Sequence, residues 1–447
     1  MSTHTDTVPG MPALGAGSTR PDPVAMALAP PEPKSVEEAG LSLGFLQDLA
    51  LRFLYYGGVA SGIELAHEMC LPWSGVVSEV VDFMIQEKQV ALSGGKGFGR
   101  ASVDFILTER GREAAREALL RTTYTGPAPV PMAAYIKALR DQHASFTPPS
   151  RADLEQALAH LVLEPGFVDR VGPALRASRS LFLYGPPGNG KTSIAESLAT
   201  ALKGQIFIPN AVEIDGQVIK IFDPIAHREI PLDGGSPEGS RGQLDRRWRL
   251  SLRPVVIAGG ELTLETLDLI WNRDTRFYEA PYQMKANGGL LLIDDFGRQR
   301  VHPTDLLNRW IVPLEKHVDY LTLHTGKKFE VPFDELVVFS TNLDPIDLVD
   351  DAFLRRIKYK IEVGDPSEAA YRQIFQRGCE SLGVPFDEGA LDYILDVWYR
   401  QPGQDLRACH PRDLLQILTD AAVYRGAAPV LSRDLVDHAC RSFLVEM

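Results

Sequence analysis

The 447-residue sequence predicts an α/β fold with a helical C-terminal part, and three observations carry that expectation. Residues 185 to 192 read Gly185-Pro186-Pro187-Gly188-Asn189-Gly190-Lys191-Thr192, a phosphate-binding loop between the apolar run Leu181 to Tyr184 and a stretch of helical periodicity from Ser193 to Leu202. A second apolar run, Gly288 to Ile293, ends in Asp294 and Asp295, as a buried parallel strand does at the ligand-binding end of an open sheet. From Asp365 onward the pattern is helical, with segments near 367–382, 388–400, 411–425 and 432–445.

The chemistry explains the loop. Its glycines let successive backbone N–H groups curl around a phosphate, and the helix that follows adds its positive N-terminal end. Gly185 through Ser193 are therefore the expected nucleotide-binding set for ATP or GTP. Lys191 supplies a mobile charge for the β- and γ-phosphates, and Thr192 offers its hydroxyl to Mg²⁺. Asp294 is placed to hold the same metal ion, and Asp295 to polarise an attacking water as general base.

Composition narrows the remaining classes. The formal charge of −13 argues weakly against a chain whose main task is holding nucleic acid phosphates. Cys70, Cys379, Cys409 and Cys440 form no C-x-x-C pair, which fits a reducing compartment better than a disulfide framework or a zinc site. No apolar run approaches a membrane span, and the N-terminus lacks a secretory pattern, so a cytoplasmic protein with no membrane partner is expected.

Residues 1–40 hold seven prolines and few large apolar residues and read as a flexible tail. Residues 41–125 read as three helices, two strands around a hairpin tip at Gly94 to Gly99, and a further helix, a pattern that resembles a winged helix. Over residues 41–121 eight basic residues face ten acidic ones. The presumptive recognition helix carries Glu79, Asp82, Glu87 and Lys88, which favours docking to a protein over DNA. Lys96, Arg100, Arg110, Arg112 and Arg116 could still form a basic edge. Residues 126–150, rich in proline, read as a linker.

Beyond the two carboxylates, a third apolar run, Leu336 to Thr341, ends at Asn342. Asp351-Ala352-Phe353-Leu354-Arg355-Arg356 follows, and later Cys409-His410-Pro411-Arg412-Asp413 opens a helix, with Pro411 suited to its first turn. In this order of parts, residues 151–447 resemble the AAA+ ATPase superfamily. The resemblance implies a P-loop NTPase αβα sandwich over 151–364 and a helical lid over 365–447, preceded by the small winged-helix-like α+β domain. It implies ATP with Mg²⁺ as the bound species and Asn342 as first sensor. Arg412 would be the second sensor, and Arg356, with Arg355 as the less favoured choice, a finger reaching the neighbouring subunit. Hydrolysis would then need a homo-oligomeric ring, with a hexamer the expected size. Most members place Glu where this chain has Asp295, so slower turnover is expected.

Lys191 and Asp294 lie 103 positions apart, more than a single crossover needs. Val212 to Ile221 alternates around Asp215-Gly216, a hairpin signal, and residues 232–242 are a Gly/Ser-rich excursion. Arg246 to Arg253 is the most basic stretch, with Trp248 the candidate for gripping a substrate, although an ordinary strand has the same pattern. Glu261 to Trp271 reads as an acidic helix. A hairpin at Tyr320–Leu323 and Lys328–Val331 looks like the one in the branch of MoxR-type chaperones, minichromosome-maintenance helicases and enhancer-binding activators. The expected activity is remodelling of a protein client. The alternative is a DNA-binding motor or regulator, and a small-molecule kinase ranks last.

Overall fold

The computed structural model describes residues 20–95, 99–177, 180–232, 244–348 and 354–444. They divide into two compact units. The first comprises Met1–Thr147, Leu202–Leu291 and Asp305–Leu336, and the second Pro148–Ala201, Leu292–Thr304 and Val337–Met447.

In the first unit, Ser42 caps a helix over Leu43–Gly57, whose Leu46, Leu49, Ala50 and Leu54 recur on one face and are buried. A capping box between Ser61 and Glu64 starts the next helix, Gly62–Glu68. A wide turn at Trp73–Val77 then runs into helix Ser78–Gln86. Strands Val59–Ser61, Val103–Leu107 and Val90–Gly95 form an antiparallel sheet in that order. Helix Glu109–Arg121 follows, capped by Thr108. Of the proposed hairpin tip, residues 96–98 lie outside the described residues.

This N-terminal core is continuous with later sequence, because Ala211, Val218 and Phe277 pack into the same cluster as Leu46, Met84 and Phe105. The contact is made by a five-stranded sheet in the order Ile270–Asn272, Phe277–Glu279, Gln217–Lys220, Ala211–Ile214 and Val130–Pro131. Asp215 and Gly216 both have positive φ, +56° and +76°, as the tight hairpin between the two central strands requires.

Several expectations are corrected here. Residues 20–40, read as tail, hold helices Pro23–Ala27 and Val36–Ala39. Asp22 N–H donates to Gln205 Oε1 (2.8 Å), Gln205 Nε2 donates to Arg20 O (2.8 Å), and Ala39 is fully buried. Hydrogen bonds between its backbone and a side chain distant in sequence order a segment too poor in apolar residues to order itself. The expected linker contains helix Met132–Ala144, whose Met132, Tyr135 and Leu139 are buried. Its Gln142 accepts from Phe207 N–H (2.6 Å) and donates to Phe207 O (3.2 Å), so a side-chain amide completes the free edge of strand Gln205–Pro209.

Much of the basic-aromatic stretch is interior, although Arg246 at its start stays exposed. Trp248 is 5% exposed on strand Trp248–Leu252, which pairs with Gln205–Pro209. Arg247 forms a buried ion pair with Asp245 (2.8 Å) and donates to the carbonyls of Ala39 (2.9 Å) and Pro129 (3.2 Å). Arg246 donates to Ala66 O and Leu71 O. Most of the excursion at 232–242 lies outside the described residues. In place of the acidic helix at 261–271 there is a short turn, Glu265–Leu267, and strand Ile270–Asn272, paired antiparallel with Phe277–Glu279.

The later hairpin is present as Val318–Thr322 and Lys328–Pro332, in antiparallel register. Its tip is tied down: Trp271 stacks on His324 at 4.2 Å between ring centroids, and Lys327 pairs with Asp215 at 2.6 Å.

In the second unit, strand Leu181–Tyr184 lies between two parallel neighbours, with Val338 and Tyr359 both registered on Leu181. The strand is buried and apolar on both faces, as a sheet covered by helices demands. The helical part comprises Glu368–Leu382, Glu388–Tyr393 continuing as Ile394–Arg400, His410–Tyr424 and Arg433–Phe443. Its core gathers Tyr371, Phe375, Leu395, Leu415 and Val436. Tyr371 O–H donates to Tyr399 Oη at 3.0 Å. Among the described residues, no helix is long and apolar enough to cross a membrane.

Glu335 in the first unit is buried, and no cation or side-chain donor reaches its carboxylate among the described residues. Burial, reinforced by Asp334 and Asp319, pushes its carboxyl well above the usual 4.5. The folded chain therefore keeps a proton that the unfolded chain releases, so stability declines as pH rises above 4.5. Glu335→Gln is expected to stabilise the protein at pH 8 by about 1–3 kcal/mol. The gain should shrink toward pH 4, measured as urea midpoints across pH.

Candidate nucleotide site

Every residue singled out for nucleotide chemistry belongs to the second unit. Gly185, Gly188 and Gly190 adopt φ of +135°, +82° and +79°, the left-handed geometry that turns backbone N–H groups inward. The space is also restricted. A Cβ on Gly185 would lie 2.4 Å from Val363 O, and one on Gly188 2.6 Å from Cys409 Sγ. Helix Lys191–Ala201 begins directly after the loop, with Ile194 N–H donating to Gly190 O (2.8 Å).

Lys191 is 6% exposed, and its ammonium donates to Gly185 O and Pro186 O, each at 2.8 Å. Burial lowers its pKa, Asp295 and Asp294 oppose that shift, and Arg407 adds to it. Thr192 Oγ1 donates to Asp294, 3.0 Å from Oδ2, so the hydroxyl and carboxylate expected to share a cation meet across 102 residues. One carboxylate, one hydroxyl and phosphate oxygens are a donor set that suits Mg²⁺, which keeps several waters. Among the described residues, no cluster of three or more His, Cys, Asp or Glu offers an all-protein cage.

Asp295 is exposed, with φ of +50°, and accepts from Asn342 Nδ2 at 3.1 Å. Two bonds bring these two residues together, Phe296 N–H to Ser340 O (2.7 Å) and Thr341 Oγ1 to Phe296 O (2.7 Å), while Gln299 Nε2 to Asp294 O (2.6 Å) closes the turn that carries Asp295. Beneath them Phe182, Phe296 and Phe339 form one aromatic cluster, with centroids 5.0–5.8 Å apart. Each ring sits a few positions from a site residue on a different strand or turn.

Asn189 does not leave its side chain free for a ligand. Its Nδ2 donates to Asp365 Oδ1 (2.7 Å), and its Oδ1 accepts from Ala408 N–H (3.1 Å). Cys409 N–H donates to Gly188 O (2.8 Å), and Arg407 pairs with Asp365 and, at 3.3 Å, with Asp405. The helical part thus meets the phosphate loop through residues 407–409. The Arg412 side chain is 78% exposed and paired with Asp413 at 3.2 Å.

Sequence reading missed Arg407 and Asp365. Asp365 looked like a helix cap, but Ser367 caps that helix, donated to by Ala370 N–H. An acidic residue before Pro-Ser and an arginine three positions before His410 gave no periodic signal. Arg355 is exposed and Arg356 half-buried in the segment before strand Tyr359–Glu362. Lys360, also unforeseen, braces that segment by donating to Leu354 O (2.6 Å) and Ile357 O (2.7 Å). Asp351, Ala352 and Phe353 lie outside the described residues.

Comparison with known proteins bears on the segment that holds the phosphate loop. The family model for "ATPase family associated with various cellular activities (AAA)" matches residues 181–230, and a domain of unknown function (DUF8689) matches residues 367–442. Spastin of Drosophila simulans is 23% identical over 260 residues, 58% of this chain and 27% of that protein. Spastin of Drosophila willistoni is 23% identical over 255 residues, 57% of this chain and 26% of that protein. The chain thus aligns with about a quarter of these relatives' length. Among solved structures, NtrX from Brucella abortus in complex with ADP is 13% identical, covering 72% of this chain and 64% of its own, with a TM-score of 0.39. The complex between subunits BchI and BchD of magnesium chelatase gives 18% identity over 67% of this chain and 92% of its own, with a TM-score of 0.31. With its phosphate loop inside the matched segment and its parallel sheet followed by helices, the chain carries an AAA-type ATPase domain of α/β fold with a helical C-terminal part.

Proposed function

We propose that the protein hydrolyses ATP within a homo-oligomeric ring, a hexamer being the expected size, and uses the cycle to remodel a protein client. The observation that carries the catalytic part is the meeting of Thr192 with Asp294 beside the Asn342–Asp295 hydrogen bond. Lys191 exchanges its two loop carbonyls for β- and γ-phosphate oxygens, and the loop N–H groups cradle the chain of phosphates. Mg²⁺, held by Thr192 and Asp294, supplies charge neutralisation on those oxygens. Asp295 accepts the proton of the attacking water, while Asn342 fixes the orientation of its carboxylate. Arg356, or Arg355 beside it, completes the site of a neighbouring copy.

Protein docking is favoured over DNA because three of the four arginines of the candidate basic edge are already paired among the described residues, Arg116 being the exception. Arg100 pairs with Asp82, Arg110 with Glu87 at 2.8 Å and Arg112 with Glu109 at 3.5 Å, while Lys96 lies outside the described residues. A winged-helix-like domain with its arginines so engaged has few charges left for phosphates. The hairpin Val318–Pro332 supports placement in the branch that includes MoxR-type chaperones.

Lys191→Ala should weaken ATP binding by roughly 10- to 100-fold, the worth of a charge-assisted hydrogen bond, measured by titration calorimetry. Arg356→Ala should retain binding and lose turnover by about 10³-fold or more. Mixing Arg356→Ala with Lys191→Ala subunits should restore turnover, because each supplies what the other lacks. A mixture as inactive as its parts would remove the finger from Arg356. Duplex DNA should show no salt-sensitive binding by fluorescence anisotropy, whereas a steep decline of measured affinity with salt would favour the DNA reading.

A further inference from the structure

We propose that Asp365 is a positioning residue that sets nucleotide affinity by competing with the phosphates for Arg407. The inference rests on the nucleotide reading above and concerns the same site. Asp365 lies where strand Tyr359–Glu362 gives way to the helical part, and its carboxylate serves two groups at once. Oδ1 accepts from Asn189 Nδ2 at 2.7 Å, which fixes the side chain of the phosphate loop between Gly188 and Gly190. The same oxygen contacts the Arg407 guanidinium. Asp405 holds the other edge of that guanidinium at 3.3 Å.

Arg407 is within electrostatic reach of the Lys191 ammonium, which marks where the β- and γ-phosphates bind. Its backbone neighbours are already docked on the loop, through Ala408 N–H to Asn189 Oδ1 and Cys409 N–H to Gly188 O. A guanidinium held 21% exposed beside the loop, with two carboxylates as partners, needs only a side-chain rotation to meet an anion. A bound triphosphate offers a denser negative charge than Asp365, so the ion pair opens as the phosphates take Arg407. Binding ATP therefore costs the Asp365–Arg407 pair. Asp365 keeps Asn189, and with it the helical part keeps its grip on the loop.

The two duties can be separated by substitution. Asp365→Asn retains an oxygen for Asn189 but loses the charge that holds Arg407. It should tighten ATP binding by about 2- to 5-fold in titration calorimetry, the scale of a partly exposed ion pair. Arg407→Gln alone should weaken binding, and in the double variant Asp365→Asn/Arg407→Gln the gain from Asp365→Asn should vanish. Asp365→Ala, which also releases Asn189, should lose part of the gain that Asp365→Asn makes. Unchanged or weaker binding by Asp365→Asn, or a gain that survives in the Arg407→Gln background, would overturn the proposal. Wild-type protein that binds no ATP would instead overturn the nucleotide reading itself, so the two failures are distinct.

Discussion

Three phenylalanines hold the geometry of the candidate nucleotide site. Phe182 lies on the strand that feeds the phosphate loop, Phe296 directly follows Asp295, and Phe339 stands three positions before Asn342. All three are buried to within 1% of complete enclosure, so none can shift without opening a cavity. Because close-packed aromatic rings tolerate little displacement, the distances between Thr192 and Asp294 and between Asn342 and Asp295 follow from the packing beneath them. A hydrogen bond of 3 Å between exposed polar groups would otherwise be a weak determinant of position.

Much of the site was legible because its chemistry is tied to local spacing. The phosphate loop needs glycine at fixed offsets, and the two the motif names, Gly185 and Gly190, both adopt positive φ, as does Gly188 between them. Buried parallel strands need apolar runs, which is why Leu181–Tyr184 and Leu336–Thr341 were found. The four C-terminal helices were readable from caps and periodicity, within a few residues at each end.

What was not legible depends on partners remote in sequence. Arg246, Arg247 and Trp248 have the composition of an exposed gripping loop. Only the fold brings Ala39, Pro129 and Asp245 to the Arg247 guanidinium and makes much of the stretch interior. Proline density at 126–150 hid a helix because the prolines flank it rather than interrupt it. Arg407 escaped for a similar reason. It is set apart by its pairing with Asp365, which also holds Asn189, and no local rule distinguishes it from Arg412 five positions later.

The N-terminal segment has a consequence for how this chain can be handled. Arg20 and Asp22 bracket Gln205, Pro30 O accepts from Asp245 N–H, and the Ala39 carbonyl is one of the acceptors of a buried guanidinium. Shortening the protein to begin at Leu41 would leave Arg247 short of an acceptor in the interior and deprive the Gln205 side-chain amide of both its backbone partners. What looks like a dispensable leader is a structural strap, and proteolysis near residue 40 would damage the fold rather than tidy it.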